Sequence, residues 1–129
     1  EYANRRGVIN KKGEWVVYPE YKELGEFYEG KAYAKKDNKF GYIDKAGNIV
    51  VPFQFDEAYD FYDGVARIEI DRKTGYIDST GKIVIKPIYE NGKDYFNDAI
   101  RVELDGEWFY IDRDGNKIDD TEESIDEEY

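Results

Sequence analysis

Carboxylates that recur at a fixed interval are the residues best suited to chemistry in this 129-residue chain. Asp44, Asp78 and Asp112 follow one another at equal intervals. Most glycosidases catalyse hydrolysis with a pair of carboxylates. All three, however, precede a short loop containing glycine, where an Asp side chain accepts hydrogen bonds from the backbone that follows. We therefore predict that these carboxylates form Asx-type turns and are not catalytic.

The residue types that most other catalytic and metal-binding sites require are missing from this sequence. The chain contains no His, no Cys and no Met, which excludes nucleophile–base triads, disulfides and zinc sites with imidazole or thiolate ligands. Its two serines, Ser79 and Ser124, fall in a predicted hairpin loop and in an acidic segment. We expect no catalytic residue, no metal site and no cofactor.

The negative charge is concentrated at the C-terminus. The formal net charge is −11, but residues 1–118 contain 23 acidic and 19 basic side chains, whereas 119–129 contain seven acidic side chains and none that is basic. Neither part has the basic stripe that phosphate neutralisation requires, so we expect no nucleic acid partner. No apolar run approaches the roughly 20 residues of a membrane span, so we expect no membrane insertion. The composition predicts a folded domain over 1–118 and a flexible acidic tail over 119–129.

A repeat of about 34 residues organises the domain. The same pattern, an x-Gly-x-Ile-Asp type motif followed by a hairpin loop, begins at Arg6, Phe40, Thr74 and Trp108 without insertion or deletion. It divides the chain into units of about 5–38, 39–72 and 73–106 and a partial unit, 107–118.

Each unit is predicted to contain three β-strands. In the second unit the first two strands are predicted at 42–44 and 49–51, on either side of a loop that contains Gly47. The third strand of this unit is predicted at 66–70, where apolar and polar residues alternate. The segment between the second and third strands, such as 53–61, is predicted to be a packed loop or a single turn.

Counting outward from a turn predicts how the strands pair. If Asp105 and Gly106 are the central residues of a tight turn, Val102 faces Phe109 across the hairpin. In the second unit Gly41 takes the place of Phe109. A glycine there leaves room for a neighbouring side chain or backbone.

These features predict an all-β fold, a tandem array of three-stranded antiparallel β-meander units in an open superhelical stack. The unit is shorter than the usual propeller blade, which favours an open array over a closed one. The alternatives are a β-trefoil, which three repeats and this length would fit, and a small closed propeller-like barrel. The core is expected to be aromatic, since the chain has 13 Tyr, 7 Phe and 2 Trp.

The repeat columns resemble the bacterial WG-repeat family, also called KWG repeats. The resemblance rests on Lys39-Phe40-Gly41-Tyr42-Ile43-Asp44, Val50-Val51-Pro52 and Phe61-Tyr62-Asp63-Gly64-Val65-Ala66, and it covers residues 5–118. The Trp-Gly pair that names the family occurs in none of the four copies. The resemblance implies a repeat module without a conserved activity, often exported, surface-associated or linked to defence and toxins in bacteria, whose ligands are mostly undefined.

A column of aromatic residues is the candidate binding site. Tyr28, Tyr62 and Phe96 each follow a ring that is predicted to be buried, and in the family this position is usually small or polar. Two adjacent rings in a loop seldom both reach one core, so these three are predicted to form an exposed ladder. The opposing interpretation is that they pack between repeats.

We therefore expect a non-enzymatic interaction module that recognises a protein partner, of an inhibitor, immunity or surface-scaffold type. The alternative is a carbohydrate-binding or cell-wall-binding module in which the repeated rings stack on sugars. The chain begins with Glu1 and not with Met, and together with the family resemblance this favours an exported or cell-surface location.

Overall fold

A computed structural model describes residues 5–118, which form thirteen β-strands and no helix. The predicted all-β fold is therefore confirmed. No helix long and apolar enough to cross a bilayer occurs in the part of the chain that the structure describes. The acidic segment 119–129, predicted to be flexible, lies outside the described residues.

The strands form four antiparallel sheets that follow one another along the chain. Their bounds are β1 Arg6–Ile9, β2 Trp15–Tyr21, β3 Glu23–Leu24, β4 Lys31–Lys36, β5 Lys39–Asp44, β6 Ile49–Phe55, β7 Glu57–Tyr62, β8 Val65–Ile70, β9 Lys73–Asp78, β10 Ile83–Tyr89, β11 Asn91–Gly92, β12 Ile100–Leu104 and β13 Glu107–Ile111. Sheet A contains β1 and β2, sheet B β3 to β6, sheet C β7 to β10, and sheet D β11 to β13.

Sheets B, C and D each combine strands of two successive sequence units. In sheet B, β4 comes from the first unit and pairs with β5 of the second, and β8 and β9 repeat this pairing in sheet C. Neighbours in a sheet are also neighbours in the chain, so each sheet is a simple meander. Within residues 5–118 the sheets do not close into a barrel. The open tandem array is thus confirmed, against the β-trefoil and the closed alternative.

One prediction within the unit is wrong. The segment before the third strand, predicted to be a loop or a turn, forms β7 in sheet C and pairs there with β8. The shorter β3 and β11 occupy the same place in sheets B and D. A register shift between Ala58 and Phe61 places the buried residues three positions apart. The sequence pattern hides this strand because the two-residue alternation is lost.

The predicted hairpin register is confirmed. Val102 faces Phe109 across β12 and β13, and the turn residues Asp105 and Gly106 have φ angles of 55° and 83°, as a type I′ turn requires. At Gly41, a Cβ atom would lie 2.5 Å from the carbonyl oxygen of Val51. Glycine is therefore needed where the backbone of β6 approaches β5 most closely.

Three hydrophobic cores lie between successive sheets. The core between sheets A and B contains Val17, Tyr21, Ala34 and Ile43. The core between B and C contains Phe40, Tyr42, Val51, Phe55, Ala58, Phe61, Ala66, Ile68 and Ile77. The core between C and D contains Val65, Tyr76, Ile85, Tyr89, Tyr95, Ile100, Val102 and Ile111. Each sheet is thus stabilised by its neighbours in the array, as in other repeat proteins.

Two buried tyrosines tie neighbouring sheets together through their hydroxyl groups. The Tyr42 hydroxyl donates a hydrogen bond to the Tyr59 carbonyl at 2.6 Å, and the Tyr76 hydroxyl donates to the Lys93 carbonyl at 2.5 Å. Burial raises the pKa of both phenols far above the usual value. In each pair the acceptor follows the donor by 17 residues, and the two donors are one repeat apart, so the same bond recurs at the repeat interval.

Candidate functional site

The recurring carboxylates are occupied by backbone turns. Asp44 accepts hydrogen bonds from the amides of Ala46 at 2.9 Å and Asn48 at 2.8 Å. Asp78 and Asp112 accept the equivalent pairs of bonds, and Asn10 does so in the first unit. Hydrogen bonds hold the pKa of the three aspartates below the ordinary value, and the largest effects come from the Asn48 amide on Asp44, the Thr80 hydroxyl on Asp78 and the Asn116 amide on Asp112. The predicted Asx-type turns are confirmed.

The three candidate rings lie on the surface. Tyr28, Tyr62 and Phe96 are 46%, 54% and 66% exposed. The ring before each of them points inward: Phe61 is buried, its equivalent Tyr95 likewise, and the first-unit equivalent, residue 27, packs against the core between sheets A and B. Of each adjacent pair of rings, one serves the core and the other faces solvent.

Each exposed ring precedes a two-residue turn. The central residues of the three turns all have positive φ angles, and they are Glu29 and Gly30, Asp63 and Gly64, and Asn97 and Asp98. The residues on either side pair across each turn, as Tyr28 does with Lys31 and Phe96 with Ala99. The rings therefore occupy equivalent positions in three type I′ hairpins. We call this surface the turn edge, defined by residues 28–31, 62–65 and 96–99.

The three turns are linked in order along the array. The Glu29 carboxylate accepts a hydrogen bond from the amide of Gly64 at 2.9 Å and another from the amide of Asp63. The Arg113 guanidinium donates to the Asp63 carbonyl and lies 4.6 Å from the centroid of the Tyr95 ring. The structure thus brings the three rings singled out in the sequence onto one edge.

A column of carboxylates beside the rings is missed by sequence reasoning. Glu26, Asp60 and Asp94 recur at the interval of the repeat, are exposed and precede the three exposed rings by two positions. Each carboxylate is separated from its ring by a single residue; Glu26 and Asp94 lie between strands, and Asp60 lies in the part of β7 where the register shifts. An acid in all three copies of one repeat column is the signal that would have revealed it.

The carboxylate column interacts electrostatically across the repeats. Partial burial raises the pKa of Asp60, and the charges of Asp94 and Glu26 raise it further. Asp94 lies 3.4 Å from the Arg67 guanidinium, which lies 4.1 Å from the centroid of the Tyr59 ring. One arginine of the protein itself thus occupies a place between a ring and a carboxylate beside the turn edge.

A cavity of about 240 Å³ lies where the loop after β13 packs on β10. Its lining is mostly aliphatic, with Lys86, Tyr89 and Asp114 as the titratable residues. Burial raises the pKa of Tyr89. Within residues 5–118, no three acidic, His or Cys side chains are grouped so that they could hold a metal ion.

Comparison with known families gives a match over most of the chain. The family described as WG containing repeat matches residues 7–40, 40–73 and 75–108 in tandem. No curated protein matches the chain.

Proposed function

The chain belongs to the WG-repeat family, and on this premise we propose that it is a non-enzymatic interaction module that recognises a protein through the turn edge. The observation that carries the proposal is the exposure of Tyr28, Tyr62 and Phe96 at equivalent turns in three successive units. Aromatic side chains dominate the energetics of protein interfaces. Rings held by hydrogen-bonded hairpins lose little conformational freedom on binding.

The state of the carboxylates supports a role without catalysis. Asp44, Asp78 and Asp112 each accept two backbone hydrogen bonds, and bonded carboxylates with a lowered pKa are poor general acids. An inhibitor, an immunity protein and a surface scaffold all fit such a module. Hydrolysis of a glycan that disappears on substitution of one particular Asp or Glu would overturn this part of the proposal.

The proposal is tested by capture with purified protein. Immobilised wild-type protein is expected to retain a partner from a native lysate, whereas Tyr62→Ala and Phe96→Ala are expected to lose most of it. Tyr18→Ala is the matched control, because Tyr18 is 65% exposed but lies outside the turn edge. Equal capture by all four proteins would show that the turn edge is not the binding surface.

A carbohydrate is the second candidate ligand. Exposed phenol rings with a carboxylate two residues before them, as at Tyr28 and Tyr62, offer a stacking face together with acceptors for sugar hydroxyls. Retention of the protein on an insoluble polysaccharide, lost in Tyr62→Ala and kept in Tyr18→Ala, would favour this candidate over a protein partner.

A further inference from the structure

The turn edge offers the same two groups three times. Each copy presents an exposed ring, at positions 28, 62 and 96, with a carboxylate two residues before it, at 26, 60 and 94. The face of an aromatic ring attracts a cation, and a carboxylate beside it adds a charge-assisted hydrogen bond. An acidic partner would be repelled, and a purely apolar one would desolvate the carboxylates without pairing them.

The protein itself shows how a cation binds such a surface. The Arg67 guanidinium lies 4.1 Å from the centroid of the Tyr59 ring and 3.4 Å from Asp94. The Arg113 guanidinium lies 4.6 Å from the centroid of the Tyr95 ring. Two arginines thus already bind aromatic rings beside the turn edge, and one of them also pairs with a carboxylate. A guest guanidinium or ammonium group would meet the same two kinds of group at Tyr28 with Glu26 and at Tyr62 with Asp60.

The repeat sets the spacing of the partner. Sheets that pack face to face lie about 10 Å apart, and the first two hairpins of the turn edge are in contact through the bond from the Gly64 amide to Glu29. A polyproline-type chain advances about 3.1 Å per residue and completes one turn every three residues. Three residues of such a chain therefore span one repeat, so its side chains return to equivalent surroundings at every third position.

Resting on the function proposed above, we infer that the partner of the turn edge is a basic segment in the polyproline II conformation, with Lys or Arg at every third residue. The rings of three units receive three successive cations of that segment, and Glu26 and Asp60 pair with two of them, since Asp94 already pairs with Arg67. The net charge of −11 on the chain favours the encounter with a basic partner at low salt.

Labelled peptides of identical composition test the inference. Each contains three arginines among alanines and glycines, spaced at every second, every third or every fourth position, and binding is measured by fluorescence anisotropy. The every-third peptide is expected to bind about tenfold more tightly than the other two, because only its cations meet all three sites together. Equal affinity for all three spacings would show that the peptides bind through their net charge alone and would overturn the inference.

Variants of the protein locate the binding surface. Tyr62→Ala and Asp60→Asn are each expected to weaken the every-third peptide about three- to fivefold, the size of an exposed cation–π or ion-pair contact. The controls Tyr18→Ala and Glu107→Gln remove an exposed ring and an exposed acid elsewhere and are expected to change affinity little. Equal loss in variants and controls would contradict the assignment.

The two proposals fail separately. If Tyr62→Ala abolishes capture of a lysate partner while no spaced peptide binds, the turn edge is a protein-binding surface but its partner is not a basic segment. If the peptides bind with the expected spacing and lysate capture is unaffected by Tyr62→Ala, the basic-segment inference stands and the captured protein uses another surface. Circular dichroism of each variant checks that the sheets are intact.

Discussion

At the scale of single residues, the sequence predicts hydrogen bonds between residues that are close in the chain but not those between distant residues. An aspartate three positions before a glycine predicts an Asx turn, and the prediction holds at Asp44, Asp78 and Asp112 because donor and acceptor are close in sequence. The hydroxyl bonds of Tyr42 and Tyr76 cannot be predicted in this way. Their acceptors lie 17 residues away and outside the sheet of the donor.

Removing one of these hydroxyl groups tests the tie between sheets. Tyr42→Phe and Tyr76→Phe are each expected to lower the free energy of unfolding by about 1–2 kcal/mol, because a part-buried hydrogen bond between the phenol and a carbonyl is lost. Urea denaturation measures the change. Tyr62→Phe is the control, since its ring is exposed and the same substitution there is expected to change stability by less than about 0.5 kcal/mol. An equal loss of stability in the control would mean that the two buried hydroxyl groups stabilise the fold no more than an exposed one does.

The Asx turns predict how stability depends on acid. The folded-state pKa of Asp44, Asp78 and Asp112 is lowered from 3.8, so their contribution is complete above the unfolded value and is lost as the pH falls through the lower folded values. A triple Asp→Asn variant, which copies Asn10, keeps acceptors that do not titrate. Its acid unfolding midpoint is expected at lower pH than that of the wild type. An unchanged midpoint would contradict this role of the turns.

At the scale of the element, the register of regular hairpins is predictable and that of bulged strands is not. The pairing of Val102 with Phe109 follows from counting across a turn, because strand pairs advance one residue at a time. The pairing of β7 cannot be predicted by counting in this way, because its register shifts between Ala58 and Phe61. The carboxylate column is also invisible to patterns that search for apolar alternation.

A glycine in β9 tests the close approach of strands within a sheet. A Cβ atom on Gly75 would lie 2.7 Å from the carbonyl oxygen of Ile85, and this backbone neighbour cannot turn away as a side chain would. Gly75→Ala is therefore expected to destabilise the protein by about 1–3 kcal/mol. Thermal unfolding beside Glu107→Ala, an exposed strand substitution, measures the effect. Equal stability of the two variants would show that β10 can move aside at no cost.

At the scale of the whole molecule, the constant period of the repeat predicts an open array, and the structure confirms it because each sheet packs on the next. What the period does not reveal is how sequence units divide between sheets. That division depends on pairing across the unit boundary, as between β4 and β5. It leaves the central sheets B and C with a core on each face, whereas sheet A borders one core.

Hydrogen exchange is expected to be slower in the central sheets than in sheet A. Amides of β5 and β9, which pair on both sides and lie in the central sheets, are expected to exchange slowest. Amides of β1, which pairs only with β2 in the part of the chain that the structure describes, are expected to exchange fastest among the paired strands. Uniform protection across the four sheets would mean that the array unfolds as a single cooperative unit.

The sharing of sheets B, C and D between successive sequence units has a consequence for how such a protein changes length over generations. Since neighbouring strands in a sheet are also neighbours in the chain, a duplication of any window one repeat long restores the same strand order, wherever its ends fall. Recombination can therefore add or remove copies without aligning its breakpoints to loops. Every added copy that keeps the pattern brings one more ring and one more carboxylate to the turn edge, so its reach would grow in step with copy number.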